Sequence, residues 1–300
     1  MIDSIYIISV ILAIIALIIS TFLILFAYRI EHKGQDIQLI LAIAFVEYIP
    51  LFILIVIFIF NKITGKEFIA TNEGCTFSGF FVDLVLFFEI ILNSILSLER
   101  YSKFSKSKWI KCIIILFLFN SFCFVTLLIT CAIKHQFSTI PSGFVCLLNK
   151  RQHILAAFTF YFSQFNWLLG IVVILYCYSK ISKEVIGSWK IISGTNYDPT
   201  TFVKKKSKNY YKAFIKVHSV LIIYTICMFG TTLTSFLESV FSYFTESFIE
   251  KSGIMHSISV IFFAIGMVAN SSIILFLHTG ISNEAEKVIE KVKSLFCNNL

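Results

Sequence analysis

Breaks are scarce in this sequence. Its 300 residues include three prolines and twelve glycines. So few helix breakers leave room for long uninterrupted helices. Charge is scarce as well. Asp, Glu, Lys and Arg make up 14% of the chain, against about 25% in an ordinary soluble domain. The alternating ten-residue strands of a membrane barrel are missing. No CxxC spacing occurs, so no metal site of that kind is expected. The six histidines and the serines form no triad, so an enzyme is not expected. An internal repeat is also missing, which weakens a transporter built from inverted halves. What is abundant is apolar: 58% of residues are hydrophobic and 16% aromatic. A soluble fold of this size could not hide that much apolar surface, so the expected solvent is lipid.

Seven apolar segments stand out, at about 5–28, 37–60, 77–98, 110–133, 154–179, 213–237 and 254–278. Each is long enough to cross a hydrocarbon core of about 30 Å. The expected fold class is an all-α membrane protein, a seven-helix bundle. The first segment lacks a basic n-region and its apolar core is too long for a signal peptide, so it reads as a membrane anchor. Residues 1–280 then form one membrane domain, and 281–300 a tail. In the tail, Ile281, Ala285, Val288, Ile289, Val292, Leu295 and Phe296 fall near one helical face, opposite lysines and Glu290. That pattern predicts an amphipathic helix lying on the membrane. Cys297 at its end is a candidate for palmitoylation, or an ordinary free thiol.

The basic residues orient the bundle. With the N-terminus outside, the outer loops hold Lys62, Lys66, Lys134, Lys150, Arg151 and Lys251, six of the 25 Lys and Arg. The rest fall on the inner side. The expected protein is multi-pass, N-out and C-in, at the plasma membrane. Its net charge of +8 reads as topology and as contact with anionic lipid or a cytoplasmic partner, not as nucleic-acid binding.

Cys75 and Cys146 both lie on the outer, oxidising side, where topology favours a bridge over two free thiols. Four carboxylates interrupt apolar segments: Glu47, Asp83, Glu89 and Glu99. Intramembrane carboxylates are functional candidates. Glu89 precedes Arg100 by eleven residues, so the two share a helix face about 16 Å apart. Cys75, 25 residues before Arg100, lies on that side too. Asp83 is rotated by about 100° and sits about 25 Å above Arg100, within reach of an outer ligand. It would contact a cationic ligand group, or hydrogen-bond a neighbouring helix. Glu47 and Glu89 fall at one depth, with Asn270 at a compatible level. They could share a proton or hold a cation such as Na+, or join helices as neutral carboxyls. Arg100 by itself reads equally as a snorkelling side chain at a helix end.

Taken together, the seven segments, "GCTFSGFF" at 74–81, "ERY" at 99–101, "IPSGFVC" at 140–146, "CYSKI" at 177–181, "YTICMFG" at 224–230 and Asn270-Ser271 resemble the rhodopsin-like G-protein-coupled receptors, opsins above all. The resemblance implies a Cys75–Cys146 disulfide. It implies that Glu99, Arg100 and Tyr101 form the coupling switch and that Tyr178 holds Arg100 in the active state. It places Asp83, Phe162, Asn166, Trp167 and Met228 in the ligand pocket. Glu47 fits the helix-two acid of the family, with Phe45 competing in alignment. Glu47, Glu89 and Asn270 resemble the family's buried sodium pocket with added negative charge. The implied partners are a heterotrimeric G protein, a small-molecule or lipid ligand and membrane lipids.

Several positions depart from that pattern. No lysine occurs between Ser252 and Glu286, so no retinal Schiff base is expected, and Ser78 stands at the counterion position. Met228, Gly230 and Ile274 replace the family's Trp, Pro and Tyr, and Gly170 replaces the fifth-helix Pro. The helix-six acid that restrains Arg100 is absent, with Tyr210 near its place, which predicts basal activity. The resulting expectation is a receptor for an extracellular chemical signal. The competing expectation is a proton- or cation-coupled transporter or channel using Glu47 and Glu89.

Overall fold

Lipid offers no water to unpaired backbone groups, so long apolar runs close their hydrogen bonds internally as helices. The computed structural model describes residues 2–30, 34–64, 71–102, 105, 109–139, 146–150 and 152–194, and beyond them 261–262, 265–272, 281, 284–285 and 287–288. The long elements are α1 (Ile2–Arg29), α2 (Gln35–Thr64), α3 (Asn72–Ser102), α4 (Trp109–Ile133) and α5 (Ile154–Gly194). Among the described residues, these five helices are long and apolar enough to cross a membrane. The chain is a mostly helical, multi-pass membrane protein. The sixth expected segment, 213–237, lies outside the described residues. Of the seventh, 261–262 and 265–272 are helical.

α3 occupies the middle. It packs against α2, α4, α5 and both short strands, and from Phe87 to Leu98 most of its side chains are buried on every side. Aromatic stacking fixes α4 against it, with Phe87 and Phe124 rings 4.0 Å apart. Small residues let α1 and α2 close together: Ala13, Ala16, Ala27 and Ala44 are all buried. α5 approaches α3 at Gly170. A Cβ there would fall 2.6 Å from Ile90 Cγ1 and 2.9 Å from Ser94 Oγ, so only glycine fits without displacement.

The connection between α4 and α5 holds a feature that sequence reading missed. β1 (Phe137–Thr139) and β2 (Cys146–Leu148) pair antiparallel, with Phe137 opposite Leu148 and Thr139 opposite Cys146. The chain enters β1 through His135, whose φ of 49° is left-handed. Cys75 and Cys146 form a disulfide across a Cα separation of 5.3 Å. It fastens the hairpin to the top of α3. Phe137 lies against Gly79 so closely that no larger residue fits there.

Two boundaries differ from the sequence expectation. α3 begins at Asn72, with the Thr71 hydroxyl accepting from the Gly74 amide as a cap. α5 continues to Gly194, well past 179. Hydropathy marks where the lipid ends, whereas the helical backbone runs on past it. Of the expected tail helix, 281, 284–285 and 287–288 are described and helical. Ile281 is fully buried among Leu23, Ala27, Ile37, Ile40 and Leu96, so the tail starts against the α1–α2 pair. Lys287 and Glu284 form an ion pair at 2.6 Å. Cys297 lies outside the described residues.

Candidate functional site

A polar seam runs down the contact between α3 and α5. At its middle, Ser94 Oγ reaches two backbone carbonyls, Ile90 O at 2.7 Å and Gly170 O at 3.2 Å. One turn lower, Ser97 contacts the Cys177 thiol. At the bottom, Arg100 Nη1 donates to the Tyr178 hydroxyl at 2.7 Å. Helical phase explains the order: positions 94, 97 and 100 on α3 and 170, 177 and 178 on α5 fall on facing stripes. Both Arg100 and Tyr178 are half-buried, as are Glu99 and Tyr101. The guanidinium therefore sits at the edge of the bundle, held from the α5 side rather than extended into solvent.

Higher up, a second polar group links α1, α2 and the segment 265–272. Glu47 is fully buried, whereas Phe45 is 55% exposed, so of the two it is Glu47 that faces inward. Asn270 Nδ2 donates to Glu47 Oε1 at 2.5 Å, and Ser271 Oγ donates to Glu47 Oε2 at 2.6 Å. Ser271 has one proton and gives it to Glu47, so at 2.8 Å Ser20 Oγ donates to Ser271. Glu89 is also fully buried and interacts electrostatically with Glu47. Neither oxygen of Glu89 has a hydrogen-bond partner among the described residues. Buried carboxyl oxygens are rarely left so, because desolvation without a partner is costly. The donor set is hard oxygen, the chemistry of Na+ or a proton rather than of a soft metal. Among the described residues no group of three or more His, Cys, Asp or Glu side chains is placed to hold a metal ion.

The expected ligand-pocket residues are distributed differently. Asp83 is half-buried under the hairpin. Its carboxylate accepts from the Leu148 backbone and lies in the field of Lys150, while Oδ2 has no hydrogen-bond partner. Lys150 Nζ in turn sits 4.2 Å from the Phe160 ring centroid. Asn166 and Trp167 point to other helices: Asn166 Oδ1 accepts from Asn120 Nδ2 of α4 at 2.7 Å, and Trp167 Nε1 donates to Leu86 O of α3 at 2.9 Å. Both are buried and join helices. Phe162 is half-buried and stacks on Phe158. Met228 and Tyr210 lie outside the described residues. Sequence reading missed Ser20, Ser94 and Asn120, and named Ser271 only beside Asn270 in a motif. Each is a polar residue inside an apolar segment, and that was the available signal.

No protein-family model matches the chain, and no curated protein matches it either. Among 96 matching chains of solved structures is the crystal structure of squid rhodopsin, with a TM-score of 0.70 at 14% sequence identity. The match covers 96% of this chain and 85% of that one. Identity so low speaks to architecture alone. The chain is built on a rhodopsin-like membrane fold.

Proposed function

We propose that this protein is a receptor that carries an extracellular chemical signal to a heterotrimeric G protein across the plasma membrane, with its N-terminus outside. The observation that carries the reading is the Arg100–Tyr178 hydrogen bond, 2.7 Å long, at the inner end of the central helix of a rhodopsin-like fold. Arg100 is a permanent cation with a planar set of donors. Held by α5, it is pre-positioned at the bundle edge, where a G protein would meet it. With no lysine between Ser252 and Glu286, the ligand is not a Schiff-base retinal. It is a small molecule or lipid that enters beneath the β1–β2 hairpin, near Asp83, and stabilises the active packing by binding it more tightly. Glu89 and Glu47 would hold a proton or Na+ between them, supplying positive charge where two carboxylates approach.

The test is reconstitution in sealed vesicles with purified heterotrimers. We expect ligand-independent nucleotide exchange that drops at least several-fold in Arg100→Ala and in Tyr178→Phe. Proton or sodium flux with no effect on any G protein would instead establish the transporter reading and end this one.

A further inference from the structure

Three rings meet at the end of the bundle that bears Arg100. Tyr101 of α3, Trp109 of α4 and Tyr176 of α5 lie 5.7 to 6.1 Å apart, centroid to centroid, two of the three pairs edge-to-face. Trp109 opens α4, so the group stands at the membrane boundary. Tyr176 is 44% exposed. The ammonium of Lys180, one turn further along α5, lies 5.6 Å from its ring. Lys180 is exposed. Among the described residues, no hydrogen-bond partner is found for the Trp109 indole N–H or for the Tyr101 and Tyr176 hydroxyls.

The direction of this patch separates it from the coupling seam. Tyr176 and Tyr178 are two residues apart, about 200° around the helix. Tyr178 faces Arg100, so Tyr176 faces outward. An outward patch at this depth meets lipid. Its rings carry unused hydrogen-bond donors, and among the described residues the charge that lies against them is the Lys180 ammonium. The complementary occupant is the headgroup of an anionic phospholipid.

We infer that Tyr101, Trp109, Tyr176 and Lys180 form a binding site for an anionic phospholipid in the leaflet at the Arg100 end of the bundle. The site is more than an aromatic belt, because a belt accepts any headgroup. Lys180 makes this one selective, since one lysine near an anionic headgroup favours it by roughly fivefold.

The experiment uses the full chain in phosphatidylcholine nanodiscs and reads tryptophan fluorescence. A tenth of the lipid is replaced by brominated phosphatidylserine or, in parallel, by brominated phosphatidylcholine. We expect the brominated serine lipid to quench about fivefold more effectively. The excess should vanish in Trp109→Phe and fall toward parity in Lys180→Gln. Lys180 is exposed, so an unchanged thermal unfolding midpoint should show that the variant is folded. Equal quenching by the two lipids overturns the inference, as does an excess that survives Lys180→Gln. None of these readouts involves a G protein, so the inference and the receptor reading fail separately.

Discussion

Glu89 is the residue whose surroundings ask most of its chemistry. Its carboxyl is fully buried, it interacts with Glu47, and neither oxygen has a partner among the described residues. If a cation settles between the two carboxyls, sodium binds the folded state and stabilises it by mass action. We therefore expect the thermal midpoint of the purified protein to rise when sodium replaces a bulky organic cation. In Glu89→Gln that rise should disappear. A rise that persists in the variant would place the cation elsewhere. Sequence revealed this pair because a carboxyl inside an apolar run is conspicuous. It placed Asn270 with the pair, but not the serines around Glu47. Serines are common in membrane helices, and nothing local to Ser20 or Ser271 points to a carboxylate 224 residues distant from the latter. Nor did sequence reveal that Asn166 and Trp167, expected at the ligand pocket, bond to α4 and α3 through their polar atoms.

Helix packing is where single substitutions should have their largest effect. Gly170→Ala would press a methyl group into Ile90 and Ser94, at a cost of about 1–3 kcal/mol for overpacking. The thermal midpoint should fall, and adding Ile90→Val should recover part of the loss. The hairpin depends on its covalent tie to α3. Cys75→Ser or Cys146→Ser should each lower stability by about 2–5 kcal/mol, and the double variant should be no worse than either. Full additivity would show that the thiols act separately. At this scale α3 was the legible element, because Cys75, Glu89 and Arg100 repeat at whole turns and lipid tolerates charge only on an inward face. β1 and β2 were not legible. Strands of three residues have no measurable alternation, and their register is fixed by a disulfide and by Phe137 seated over Gly79. Gly170 was visible as a departure from proline, but the closeness of α3 behind it was not.

For the molecule as a whole, seven apolar segments made membrane class readable before any fold was known, and the bias of basic residues predicts an orientation. Orientation is open to a direct check. An epitope at the N-terminus should be stained on intact cells, and one after Leu300 only after permeabilisation. The reverse pattern would invert the assignment of every loop and remove Arg100 from the cytoplasm. The length of α5 bears on what can approach that arginine. Its apolar span ends at Glu184 while the helix continues to Gly194, a further ten residues or about 15 Å. Any partner that reached Arg100 would therefore run alongside about three further turns of α5, a flank it could grip.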